Sequence, residues 1–548
     1  MTKKASFFGV FFFCLFITSI AQQGTWVFFK DKGNTEEYFF KNPEKMLSQK
    51  SINRRFNQKI GFSYTDVPVF KGYINEIEQA GYTVKYASRW LNAAYISGTY
   101  TGGFDFVHSS KPVTTKSSPA AFQGETSTKP SIQVSGYSRT TTLDYGAATN
   151  QNLMVGIDCM HDKGYTGKNV LMGIFDSGFF SADTFTAFDS VFLNNRVLNH
   201  YDFVDGQTNV FDDDSHGMSV LSTIAAFVPS SIIGTAYDAS FLLARTENVN
   251  SETHAEEYSW VAAMEWADSI GVDLIHSSLS YSIFDAGEGD YTYQQMDGNS
   301  TIITIAADYA ASKGIIVTNS AGNQGNSSWV YITAPADGDS VMAVGSVDGF
   351  GMVSGFSSRG PSSDQRLKPE ITAQGTFTAV IGSDGFQTYS NGTSFSGPII
   401  AGVMACLRQA HPNLSNMDLY QALYQSANQY NTPDTIYGYG IPNACKADSI
   451  CAAMDSTASI SQSVTQFQLA KVSPNPSTGF VNISFNNQKY QDFHLTLLDV
   501  NGNIVFEKNV GVPMYGSTSL NLSSYQKGLY FLKADTGNQV QSWKILLQ

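Results

Sequence analysis

Charge is scarce in this chain of 548 residues: only 15% are Asp, Glu, Lys or Arg, and 33 basic residues face 47 acidic ones. The formal net charge is -14. No basic patch stands out, so nucleic acid is excluded as a partner. Long apolar runs are also missing. The run Phe7–Ile17 falls short of the roughly 20 residues that span a bilayer. With Lys3 and Lys4 before it and Ser19-Ile20-Ala21 after it, it reads as a cleaved secretory signal over 1–21. No membrane span is expected elsewhere. Cysteine is sparse, at five. Cys14 leaves with the signal, and the other four allow three pairings in an exported protein. Cys406 lies on an apolar helical pattern and reads as a buried free thiol, while Cys445 and Cys451 are near enough in sequence to close a small loop. There is no HExxH and no paired CxxC, which argues against a zinc enzyme.

Hydrophobic residues make up 42% of the chain, enough for a sizeable core, and the length calls for several folded units. Residues 22–106 carry a helical pattern near Gly72–Ala80 and strand-like runs at Tyr82–Tyr86 and Leu91–Ile96, which predicts a small α+β unit. Residues 107–144 have the Ser, Thr, Lys and Pro content of a linker. Over 145–455 short apolar runs alternate with helical segments. Strands are predicted at Asn169–Phe175, Ser240–Arg245, Leu274–Ser278, Ile315–Ser320 and Met342–Ser346. Helices are predicted at Gly217–Phe227, Glu256–Ile270, Thr301–Lys313 and Gly397–Gln409. The fold class is therefore α/β, a mostly parallel sheet with helices on both faces. A linker over 456–466 leads to residues 467–548, where short strands and the hairpin signal Asn501-Gly502 predict a β-sandwich.

Three Gly-marked segments carry chemistry. In Asn391-Gly392-Thr393-Ser394-Phe395-Ser396-Gly397-Pro398 a serine opens an apolar helix, and Pro398 suits a first helical turn. A helix N-terminus offers amide donors and a positive dipole end to a hydroxyl, although Ser is also an ordinary helix cap. In Val170–Gly178 a buried strand ends in Asp176, at the edge where α/β sheets gather functional groups; the plainer reading is a turn aspartate. In Asp212–Val220 His216 opens another helix, and alone it reads as a solvated histidine beside an acidic loop. Together they supply a nucleophile, a base and a group that orients the base. An esterase of the α/β-hydrolase kind is excluded: Ser396, not Gly, stands two after Ser394, and the acid and base precede the serine.

These segments resemble the subtilisin-like serine peptidases over about Gly164 to Ala444. Asp176-Ser177-Gly178, His216-Gly217 with Val220, and Gly392–Pro398 resemble the family's three motifs; Met218 stands where the family usually has Thr. The resemblance implies a secreted serine endopeptidase with Asp176, His216 and Ser394 as its triad, acting through an acyl-enzyme. Asn319–Asn323 resembles the segment whose asparagine, here Asn323, donates to the oxyanion; Ala321 and Gly322 are then beside the substrate. Ser278-Leu279-Ser280 resembles the strand edge that pairs with substrate backbone, with Ser280 where Gly is usual. Residues 22–106 take the place of a propeptide. No cofactor is implied as required. Related enzymes often carry structural calcium, and Asp202, Asp205 and Asp212–Asp214 are dense in oxygen ligands, but a solvated acidic loop explains them as well. Ser473–Gly479, Lys527–Tyr530 and the closing Lys544–Leu547 resemble the sorting domain of proteins exported by the type IX system of Bacteroidetes. The expected partners are peptide substrates and that machinery, the expected state is a monomer, and the expected location is secreted or cell surface, reached through the periplasm. A catalytically dead adhesive scaffold is the rival reading, and it usually lacks a triad member.

Overall fold

The computed structural model describes residues 22–115, 141–461 and 468–548 except 474, 476, 478, 487–490, 513–514 and 536–539. The signal read at 1–21 lies outside the described residues.

Continuous apolar strands need cover on both faces, and a parallel sheet flanked by helices provides it. Seven strands form that sheet: β1 (Leu171–Asp176), β2 (Val197–Asp202), β3 (Ser240–Arg245), β4 (Leu274–Ser277), β5 (Ile316–Ser320), β6 (Met342–Val347) and β7 (Ile371–Gln374). The order is β7-β6-β5-β4-β1-β3-β2, and every pairing is parallel. Alternation along β1 sorts its side chains. Met172 and Ile174 pack with helices α1 (His216–Ala225) and α4 (Thr393–Ala410). Leu171 and Phe175 pack with α2 (His254–Ile270) and α3 (Ile302–Ser312) on the other face. β1 lies between β3 and β4, so chain connections diverge on either side of its carboxyl end. Such a divergence leaves a crevice at the strand tips.

The N-terminal unit is an antiparallel sheet ordered Val84–Ser88, Ala93–Ser97, Gln22–Phe29, Val107–Thr115, with helices that include Gln49–Asn57 and Lys71–Gln79. Val107–Thr115, which reads as linker, is a strand paired along Gln22–Phe29. Its polar composition hid it, because ladder hydrogen bonds need only backbone and Val113 alone supplies a clearly buried apolar side chain there. This unit meets α2 through buried charges. Asp268 pairs with Arg54, with Arg55 at 2.9 Å and with Arg89 at 2.5 Å. Asp66 pairs with Arg55 at 2.8 Å and with Lys313 at 3.2 Å. Burial works to raise the Asp268 carboxyl, and the guanidiniums override it and hold it far below the usual carboxylate range.

A disulfide joins Cys159 to Cys445, and Cys406 and Cys451 are free and buried. The small loop between Cys445 and Cys451 does not form. Both lie on one helix, α5 (Ala444–Ser461), six residues apart. Six residues of helix separate them by about 9 Å along the axis, too far for a bridge. The same helix covers 456–461, which reads as linker. The C-terminal part has a three-stranded and a four-stranded sheet around a shared apolar core. Asn475 holds the final strand there: its Nδ2 donates to the Lys544 carbonyl at 2.6 Å, and its Oδ1 accepts from Leu546 N–H at 2.9 Å.

Two predictions follow from these cross-links. Replacing Cys159 and Cys445 by Ala should lower the urea midpoint, by about 2–4 kcal/mol of stability; an unchanged midpoint in urea titrations would contradict a bridge. Asp268→Ala strands three buried arginines, and removal of one partner of a buried ion pair costs about 3–5 kcal/mol. The yield of folded protein after refolding should collapse, and wild-type yield would show that these charges do not hold the two units together.

Candidate active site

β1 delivers Asp176 to the crevice with no solvent exposure. A buried carboxylate needs donors in place of water. Its Oδ1 accepts from Ser177 N–H at 2.8 Å and from His216 Nδ1 at 2.7 Å. The approach of α1 is close: a Cβ on Gly217 would lie 2.5 Å from the Gly178 carbonyl oxygen and 2.6 Å from Asp176 Cβ. Only glycine lets the helix start against the aspartate. Asp214 sets the same helix, accepting from His216 N–H at 2.8 Å and from Ser177 Oγ at 2.9 Å. Burial pulls the His216 ring down, but Asp176, then Asp214 and Glu247, outweigh it and push the imidazole up to about 9. Met218 fills the core beneath.

Ser394 sits in the first turn of α4, mostly buried, and the ring of the next residue, Phe395, lies 5.9 Å from the His216 ring, centroid to centroid. Asn323 follows the tip of β5 and is exposed. Its Oδ1 accepts from Thr393 N–H and Thr393 Oγ1, both at 2.9 Å, which turns Nδ2 the other way. Gly392 precedes the helix at φ +146, a conformation suited to glycine. The position of a Cβ there would be 3.6 Å from Asn323 Nδ2, 3.6 Å from Ser394 N and 3.7 Å from Ser394 Cβ. Two donors and the serine therefore surround one open point.

The other residues singled out in the sequence fall nearby. Ser278 Oγ donates to the Ser394 carbonyl at 3.1 Å. The buried Leu279 offers its carbonyl to Asn319 Nδ2 at 3.0 Å. Ser280 Oγ lies 2.6 Å from Thr333 Oγ1, and a Cβ on Gly322 would be 3.3 Å from the same Ser280 oxygen. Ala321 N–H donates to the Val344 carbonyl at 3.0 Å.

The acidic loop is organised around an arginine. Arg245, at the tip of β3, pairs with Asp202 at 2.9 Å, Asp205 at 2.7 Å and Asp213 at 3.4 Å, and its Nε donates to the Ser177 carbonyl at 3.2 Å. One guanidinium thus gathers three of the loop's aspartates and offsets one of their charges. A lone Arg ending an apolar strand was the available signal, and the sequence reading passed over it. Sequence also missed Glu247, Glu252 and Glu256, the one group of three possible ligands among the described residues, with oxygens within 4.8 Å of one another. Burial pushes their carboxyls up, to about 7, 9 and 10 respectively, with Asp176 adding to the effect at Glu247 and neighbouring glutamates adding to it at Glu252 and Glu256.

Comparison with known proteins places the chain in a family. Residues 167–440 match the Subtilase family. Residues 24–129 match the peptidase S8 propeptide domain of Bacteroidota, and residues 471–548 match the secretion system C-terminal sorting domain. Subtilisin E of Bacillus subtilis (strain 168) is 33% identical over 288 residues, 52% of this chain and 67% of that protein. Subtilisin of Bacillus pumilus is 32% identical over 288 residues, 52% of this chain and 92% of that protein. A crystal structure of MycP1 with the N-terminal propeptide removed is 22% identical, with TM-score 0.44, over 55% of this chain and 96% of that one. Among the described residues no helix is long and apolar enough to cross a membrane. The type IX sorting domain and the propeptide mark a secreted or cell-surface protein. The chain is a subtilisin-like serine peptidase and belongs to the subtilase family.

Proposed function

We propose that this peptidase is an endopeptidase with Ser394 as nucleophile, His216 as general base and Asp176 as the group that orients the base. His216 takes the Ser394 proton as Oγ attacks a peptide carbonyl. The carbonyl oxygen becomes an oxyanion, met by Ser394 N–H and Asn323 Nδ2. The intermediate collapses with the C–N bond broken, and protonated His216 gives its proton to the leaving amine. Water then hydrolyses the acyl-enzyme by the same route in reverse. Asp176 keeps the Nδ1 proton in place and stabilises the imidazolium. The convergence of Asn323 Nδ2, Ser394 N and Ser394 Cβ around the open point at Gly392 carries this reading. Ser278–Ser280 and Ala321–Gly322 are read as the edges along whose backbone an extended substrate lies. No cofactor enters the scheme.

Residues 22–115 are read as part of a propeptide that assists folding and covers the enzyme until removed. The sorting domain is read as the address for export from the periplasm. An active enzyme purified with residues 22–100 attached would count against the first reading, and normal export after deletion of 467–548 would count against the second.

A fluorophosphonate should label the enzyme at Ser394, and the labelling should vanish in His216→Ala; labelling elsewhere would remove Ser394 from its role. Asn323→Ala should lower kcat by about 100- to 1,000-fold with little change in KM. Gly392→Ala, whose methyl would fill the point between the donors, should lower kcat with folding retained by circular dichroism. The base must be neutral to accept a proton, so a raised imidazole makes activity rise with pH. The kcat/KM profile should titrate well above the ordinary 6.5, toward about 9, and Glu247→Gln should move it to lower pH. A profile already flat above pH 6.5 and unmoved by Glu247→Gln would contradict the acidic surroundings of His216.

A further inference from the structure

A helix carbonyl normally accepts from the amide four residues on. For Ser394 that residue is Pro398, which has no N–H. The carbonyl of the proposed nucleophile is thus deprived of its helical partner, at a residue with 6% exposure that water scarcely reaches. The Ser278 hydroxyl fills the gap at 3.1 Å.

Ser278 has one proton. Given to the Ser394 carbonyl, it leaves the oxygen as an acceptor. His276 Nε2 lies 2.9 Å from that oxygen and must then be the protonated nitrogen. The other nitrogen, Nδ1, lies 3.0 Å from Thr318 Oγ1, whose one proton must then turn to the ring and away from the Ile275 carbonyl, 3.2 Å from the same oxygen. Ser320 Oγ, 3.4 Å from Ser278 Oγ, directs its own proton to the Thr393 carbonyl at 2.8 Å. His276 is on β4, fully buried, and its ring touches α4 directly: a Cβ on Gly397 would lie 2.6 Å from Cε1. Burial holds the ring low, at about 3, with the nearby His216 adding to the effect, so His276 stays neutral at working pH with one donor nitrogen.

We propose that His276 is a positioning residue for Ser394: its Nε2–H orients the Ser278 hydroxyl onto the carbonyl that Pro398 leaves without an amide. The first turn of α4 is thereby fixed, and with it both the attacking Oγ and the Ser394 N–H. The other tautomer would draw the Ser278 proton toward His276 and leave the carbonyl bare. His276 touches neither substrate nor reacting atoms. It does no proton transfer in the reaction.

The inference rests on Ser394 being the nucleophile, and the experiment separates the two. Full-length protein, allowed to mature, is assayed for fluorophosphonate labelling rate and for kcat and KM on a peptide, per labelled site. Wild-type enzyme that does not label at Ser394 overturns the nucleophile reading. If wild type labels, His276→Leu and Ser278→Ala should each slow labelling and lower kcat by about tenfold with KM within about twofold, as for loss of one hydrogen bond at a reacting group. The double variant should be no slower than the worse single, because both act along one chain. His276→Gln, which keeps a donor near Nε2, should recover most of the rate. Wild-type labelling by Ser278→Ala, multiplied effects in the double variant, or a Gln variant as slow as Leu would each overturn the positioning role. Should His276→Leu fail to fold, Ser278→Ala and His276→Gln still decide the matter.

Discussion

The catalytic crevice depends on a carboxylate held away from water. Asp176 ends a strand buried on both faces, and desolvation would make its charge intolerable without replacement donors. Ser177 N–H and the His216 ring supply them at one oxygen. The ring can do so because the second residue of α1, Gly217, has no Cβ at the point of closest approach. The same contact fixes the imidazole tautomer and the direction of α1. That helix in turn packs with α4 in the main core cluster, so one hydrogen bond at the strand tip sets the frame in which the turn carrying Ser394 is placed.

Two kinds of electrostatic environment surround this frame. On the β2–β3 side, three aspartates converge on Arg245, which offsets part of their charge. Beyond the tip of β3, Glu247, Glu252 and Glu256 face one another with no such counter-charge within the trio, and they retain protons to unusually high pH. His216 lies within reach of both. Its elevated basicity comes first from Asp176, with Asp214 and then Glu247 adding to it. On the opposite side of the crevice the groups are neutral: His276, Ser278, Ser320 and Thr318 form a hydroxyl and imidazole layer under the nucleophile turn. Charged groups thus lie on the His216 side of the crevice and neutral ones beneath the turn of Ser394.

The central strands were legible because continuous apolar runs bounded by Gly have few alternatives to a buried parallel strand. Ser240–Arg245 was read to the residue. α4 was read as starting at Gly397 but begins at Thr393, because its first turn is built from Thr and Ser whose side chains carry no apolar periodicity. The strand Val107–Thr115 was illegible for the same reason, since its content is polar and its pairing partner lies far off in the sequence. The pairing of Cys159 with Cys445, 286 residues apart, depends on how α5 lies against an earlier helix, and no spacing rule contains that. His276 carried no signal. A single histidine inside a strand of Leu, Ile and Ser reads as core, and its significance comes only from what Pro398 withholds across the sheet.

The bridge to Cys445 also governs how the chain bears tension. It grips α5 at its second residue, and the sorting domain begins only a few residues after that helix ends. A pull applied to the C-terminal tail during export therefore reaches a covalent anchor before it reaches the sheet. The bridge ties the root of α5 to the helix Ile157–Asp162, so the tail is fastened to the peptidase domain at two points of the chain.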